Sequence, residues 1–224
     1  RLRELRPHRS LDFHAASLRA RTEDFEGGAA LLQTMLDDSP NDPEILYQMG
    51  VLYGLQKDTE QALIYMQLVL EENPENAQAL NYIGYTWAER GENLDEAEKL
   101  IEQAVSLAPR DGYILDSLGW LYAQKARPLL DGDRRKEGLE LLDRAIEQLI
   151  LADELTGGDP VVSEHLGDVY LMLDERTRAL DFYEQAAHQG PRVDEQPKLF
   201  DKLQRLRRAL GREQVSPQSE PEGP

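Results

Sequence analysis

Four histidines, His8, His14, His165 and His188, are the side chains of this sequence best suited to metal or acid–base chemistry. A metal site on a helix needs ligands at three- or four-residue spacing, and none of these histidines pairs with another in that way. The run DGDRRKEG, residues 131–138, sets two carboxylates close together but lacks the rest of a calcium loop, so it reads as a turn. Acidic pairs such as Glu71–Glu72 read as solvated helix faces. There is no Gly-rich phosphate loop, nucleophile elbow or zincin motif. There is no cysteine, which excludes thiolate chemistry, disulfides and Cys-ligated zinc. The expectation is a protein without catalytic residues, metal or cofactor.

The bulk numbers narrow the alternatives. The 224 residues carry a formal net charge of −18 with a pI near 4.6. Nucleic-acid binding draws most of its affinity from basic surface, so that class is disfavoured, as is an anionic membrane surface. Hydrophobic residues make up 40% and charged residues 30%, the balance of a soluble, folded chain. No apolar run reaches transmembrane length. The start, RLRELRPHRS, has neither a Met nor the apolar core of a signal peptide, as expected of a fragment or a processed form.

What would position functional side chains is a set of helices that repeat. In ILDSLGWLYAQ, residues 114–124, apolar residues recur at helical period around Gly119. A glycine inside a helix costs about 1 kcal/mol relative to alanine, so a close approach must require it. Gly50, Gly84 and Gly167 sit in the same setting, each with an aromatic three residues on. A second signature follows: a small residue, a bulky one four on, a smaller one seven on and a breaker twelve on. It reads Ala62, Met66, Val69, Pro74, and recurs from Ala97, Ala145, Ala179 and, near the start, Gly28. The distance from that small residue to the next glycine is 22 residues each time: 28 to 50, 62 to 84, 97 to 119, 145 to 167. Length changes fall only between the glycine and its following small residue. Repeats that dock on one another demand a constant joint, whereas a solvated turn tolerates insertion.

This pattern resembles the tetratricopeptide repeat, a helix–turn–helix unit of about 34 residues. The resemblance implies an all-α, right-handed α–α superhelix over residues 10–192, with repeats at 10–42, 43–76, 77–111, 112–159 and 160–192. Residues 1–9 would be an N-terminal segment, 193–212 a capping helix and 213–224 a disordered tail. The first copy departs from the pattern, with Ala16 for the glycine and Arg19 for the aromatic, as a capping repeat would. GENLDEA, residues 91–97, carries one extra residue. The third copy carries fourteen, which predicts that Pro128 ends its first helix and that a long second helix runs over 133–155 and protrudes. In the expected capping helix, Leu199, Phe200, Leu203, Leu206 and Leu210 would share one face, with Lys198, Lys202, Arg205, Arg207, Arg208 and Arg212 on the outer one.

In this family the first helices line a concave face. Counting from the glycine as the eighth position, the implied partner-binding residues are Tyr47, Gln48, Val51, Asn81, Tyr82, Tyr85, Glu89, Asp116, Ser117, Trp120, Glu164, His165 and Asp168. Trp120 and Tyr85 are expected to stand open in the groove, as aromatic hot spots. The four sets of groove positions contain no Lys or Arg, so the basic clamp with which some relatives grip a peptide carboxylate is missing. The expected ligand is a protein or peptide with basic and apolar side chains. The expected function is therefore a non-enzymatic protein–protein interaction scaffold in a bacterial multiprotein assembly, on the periplasmic side of an envelope or else in the cytoplasm. Two alternatives stand beside it: a homo-oligomerisation element, and the recognition arm of a larger enzyme.

Overall fold

A computed structural model describes residues 9–190 and 196–211. Every regular element among them is helical. The chain divides into two compact units, Arg1–Pro109 and Arg110–Pro224. The N-terminal segment, the Pro-rich tail and Arg212 of the expected basic face lie outside the described residues.

The first unit holds three antiparallel helix pairs: α1 (Arg9–Arg21) with α2 (Phe25–Asp38), α3 (Pro43–Leu55) with α4 (Thr59–Glu72), and α5 (Ala77–Arg90) with α6 (Leu94–Leu107). Side-chain caps start four of the six. Asp24, Asp42, Asp58 and Asn76 each accept a hydrogen bond from a backbone N–H of the helix they precede. Such a cap contributes about 1 kcal/mol. The turns within pairs share one device. A residue in the left-handed region (Glu23, φ 64°; Lys57, φ 64°) is followed by a backbone N–H that reaches back five residues, Asp24 to Arg19 O and Asp58 to Tyr53 O. In the α5–α6 turn Gly91 (φ 67°) and the Glu92 N–H to Trp87 O repeat it, and the extra residue is Asn93, itself at φ 48°.

The second unit holds α7 (Gly112–Ala126), a 3-10 turn (Arg127–Leu129), α8 (Arg135–Thr156), α9 (Pro160–Met172), α10 (Arg176–His188) and α11 (Leu199–Ala209). Pro128 does end α7, because a proline ring cannot continue the hydrogen-bond ladder. The 22-residue α8 is about 33 Å long. Its extra turns do not protrude freely. A Cβ on Gly138 would lie 3.1 Å from both Leu129 and Leu130, so the start of α8 packs on the 3-10 turn. The glycine of the α7–α8 pair meets its expectation. A Cβ on Gly119 would stand 2.6 Å from Leu149 Cγ and 3.0 Å from the Ala145 carbonyl oxygen.

With the glycine counted eighth, the third, seventh and tenth positions of the first helices form one stripe. It is buried in α3 (Ile45, Met49, Leu52), α5 (Ala79, Ile83, Thr86), α7 (Ile114, Leu118, Leu121) and α9 (Val162, Leu166, Val169). α11 buries the equivalent stripe Leu199, Leu203, Leu206. In the pairs α2–α3, α4–α5, α8–α9 and α10–α11, the preceding second helix packs against such a first helix. Two expectations for α11 are corrected. Phe200 is 51% exposed, since a neighbour of Leu199 lies 100° round the helix from it. Lys202 is not on the outer face; it turns inward, as described below.

No helix among the described residues is long and apolar enough to cross a membrane.

Candidate functional site

The residues expected to line a groove fall into two sets, one in each unit, and the two sets differ.

In the first unit α3 supplies Tyr47, Gln48 and Val51, and α5 supplies Asn81, Tyr82, Tyr85 and Glu89. Glu89 is exposed and the other six are half-buried, a placement that leaves part of each side chain open to solvent. Tyr82 lies over Gly54, where a Cβ would come within 2.8 Å of its hydroxyl. Burial, then the neighbouring Tyr47, pushes the Tyr82 hydroxyl's pKa up, against a smaller opposite pull from Arg90. It therefore stays a neutral donor. The Asn81 Oδ1 is buried without a hydrogen-bond partner.

Beside these residues lies a small pocket of about 20 Å³, open to solvent, lined by Ala16, Ser17, Ala20, Leu32, Gln48, Val51, Leu52 and Leu55. α1 contributes the small residues Ala16, Ser17 and Ala20 to its lining. These α1 residues were missed by the sequence reading, which set the first copy aside as a cap. The signal was present: three small residues at the eighth, ninth and twelfth positions of one helix.

In the second unit the expected groove residues are built into the fold. Trp120 is only 6% exposed, which corrects the expectation that it stands open. Its ring stacks on His165, with centroids 4.2 Å apart and planes at 14°. His165 Nδ1 in turn lies 2.8 Å from Asp116 Oδ1, and both residues are buried. The cause is local: α7 and α9 face each other with large planar side chains at neighbouring register positions. Ser117 is also buried and donates its hydroxyl to the Tyr113 carbonyl, so it offers no nucleophile beside the Asp–His pair.

Glu164 and Asp168 are likewise engaged. The Lys202 ammonium of α11 donates to Glu164 Oε1 at 2.6 Å and to Asp168 Oδ2 at 2.7 Å. Asp168 also accepts from the Tyr183 hydroxyl at 2.6 Å. Burial alone would lower the Lys202 pKa, but Asp168 and Glu164 together outweigh it and hold the ammonium above its ordinary range. Burial first, then Asp168, raises the Tyr183 hydroxyl. The C-terminal helix thus sets one ammonium against the two carboxylates of this unit's acidic wall and engages both. Among the described residues no group of three or more His, Asp or Glu side chains is placed to hold a metal ion.

Comparison with known proteins agrees with the helix pairs. Residues 19–82 and residues 58–112 each match the tetratricopeptide repeat family. A TPR repeat-containing protein of Pseudomonas aeruginosa is 37% identical over 103 residues, which cover 46% of this chain and 17% of that protein. The photosystem I assembly protein Ycf3 of Rippkaea orientalis is 32% identical over 100 residues, covering 38% of this chain and 57% of that protein. The chain thus spans well under two thirds of the length of either relative. Among solved structures, PilW, a widely conserved type IV pilus biogenesis factor, superposes with a TM-score of 0.71 at 14% identity, covering 92% of this chain and 88% of that one. At that identity the likeness shows the fold, an all-α helical-repeat solenoid.

Proposed function

Because this chain is a tetratricopeptide-repeat protein, a class of generally non-enzymatic scaffolds for protein–protein interaction, we propose that it binds a partner peptide on the first-helix face of its first unit. The observation that carries this reading is the small solvent-open pocket between α1 and α3, with Gln48, Val51 and Leu55 on one side and Ala16, Ser17 and Ala20 on the other. Half-buried Tyr47, Tyr82 and Tyr85 supply rigid contact area with polar tips, the chemistry enriched in binding hot spots. Glu89 and the chain's net charge of −18 favour a ligand with Lys or Arg among apolar residues. In this reading Asp116, Trp120 and His165 hold α7 to α9, Ser117 is spent on the Tyr113 carbonyl, and Glu164 and Asp168 hold α11, rather than meeting the ligand. The names of two similar proteins, an assembly protein and a pilus biogenesis factor, support a place in a bacterial multiprotein assembly.

Panning a phage-displayed peptide library on the protein tests the reading. Selected peptides should be enriched in Lys or Arg beside apolar residues. Titration calorimetry should show Val51→Arg weakening them at least about tenfold, or about 1.4 kcal/mol, with Tyr113→Ala on the second unit without effect. Peptides that bind Val51→Arg as tightly as the wild type, or no enrichment, would overturn it.

A further inference from the structure

The first-helix face of the second unit changes sign at α11, and we propose that Lys198 and Arg205 there dock an acidic, extended segment of a partner protein. With Leu199, Leu203 and Leu206 at the third, seventh and tenth positions, the groove-lining positions of α11 are Lys198, Asp201, Lys202, Arg205, Arg208 and Ala209. The register is secure, because Lys202, at the sixth position, meets Glu164 and Asp168, at the fifth and ninth of α9. The same positions of α3, α5, α7 and α9 hold no Lys or Arg, whereas α11 holds four.

Helix stability does not account for these cations. Six other helices start from an Asp or Asn whose side chain accepts a hydrogen bond from the first turn. Lys198 caps α11 instead and makes no such bond. A lysine cannot accept one, and its charge opposes the positive end of the helix. Lys198, Lys202 and Arg205 then follow one another at four- and three-residue steps, where like charges repel. Glu164 and Asp168 answer only the middle one. Lys198 and Arg205 are exposed and form no ion pair among the described residues, and Asp201, between them, pairs with neither. An anion on this face would relieve the repulsion that the chain itself leaves standing.

α9 supplies an apolar neighbour. One turn past Asp168, its twelfth and thirteenth positions are Leu171, 41% exposed, and the half-buried Met172. In the register set by Lys202 they lie at the Arg205 end of the cationic seam. Lys198 and Arg205 are about 10 Å apart along α11. An extended chain covers that distance in about three residues. The complementary segment therefore carries Asp or Glu three residues apart, with an apolar side chain beyond the second. A short segment of this kind fits a chain of net charge −18 better than a nucleic acid does, because a polyanion meets that charge along its whole length.

The test pans a phage-displayed peptide library on the Val51→Arg protein, so that the pocket of the first unit is blocked and failure there stays separate from failure here. Selected peptides should carry acidic residues three apart beside an apolar one. Titration calorimetry should show Lys198→Glu with Arg205→Glu weakening them at least about tenfold. Lys136→Glu with Arg110→Glu, the same charge change elsewhere in the unit, should have no effect. The melting temperature of the α11 pair should hold or rise, because a glutamate suits a helix start. No enrichment of acidic peptides, or peptides that bind the reversed pair as tightly, would overturn the proposal. So would a melting temperature lowered by several degrees, since the cations would then serve α11 itself. An oligothymidylate strand that displaces the peptides at lower concentration would overturn it in favour of nucleic acid. A concentration-dependent dimer of the wild type that the reversed pair dissolves would overturn it in favour of a second copy.

Discussion

Truncation of Leu149 to Ala is expected to destabilise the second unit by about 2–5 kcal/mol. Leu149 is fully buried on α8, and its side chain fills the notch that Gly119 leaves in α7. Removing three carbons there opens a cavity that neither helix can close, because the Gly119 backbone already lies as near as the Ala145 carbonyl permits. Gly119→Ala should also destabilise, by about 1–3 kcal/mol, although alanine gains about 1 kcal/mol of helix propensity. The added methyl meets Leu149 Cγ at 2.6 Å and a backbone oxygen at 3.0 Å. The double variant separates these contacts. Its loss should be smaller than the sum of the single losses, since the shortened side chain on α8 no longer opposes the methyl, but not zero, since the carbonyl does. Urea unfolding of the four proteins measures this. Strict additivity, or a Leu149→Ala loss below about 1 kcal/mol, would show that the notch does not organise the pair.

Lys202→Met is expected to cost about 1–3 kcal/mol at neutral pH and to loosen α11. The methionine keeps the stem but leaves Glu164, 8% exposed, and Asp168 without a cation. The effect has a pH signature. The Lys202 pKa is raised in the folded protein, so its contribution is fully present below the ordinary value of 10.5 and is lost as pH rises through the higher folded value. The difference between wild type and Lys202→Met should therefore hold at pH 7 to 9 and shrink only in stronger alkali. Tyr183, raised as well, goes on donating to Asp168 as the pH passes its ordinary value of 10.0. Urea melts across that range, with amide exchange of α11 at pH 7, provide the readout. A difference that fades already below pH 9 would mean that some other group controls the contact.

The helix pairs were legible because close backbone contact is written in small residues. Gly119 and Ala145 must be small wherever α7 and α8 touch, and the 22-residue joint repeats because docking demands it. The long α8 showed through the period of Leu139, Leu142, Ile146 and Leu149. The open or closed state of the groove positions was not legible. Position counting aims Trp120 and His165 at the same face, but it carries no record that two flat rings on neighbouring helices will stack and exclude water. Lys202 reads as one more cation in a basic helix, and only its placement opposite Glu164 and Asp168 shows that it faces inward. The small pocket beside α1 was not legible for the opposite reason: Ala16, Ser17 and Ala20 line it through the little volume they leave empty.

The left-handed turn inside four of the five described pairs, all but α7–α8, has a consequence for inheritance. Asn93 enters the α5–α6 turn after the back-bonded Glu92 has closed α5, so the added residue is spent in the turn, and α6 still begins in phase with its partner. A gene encoding such units can gain or lose codons at these bends without shifting any face that must dock. The same bends, around Lys57, Asn93 and Asp174, are the natural places to insert an epitope tag or a fluorophore without disturbing the helices on either side.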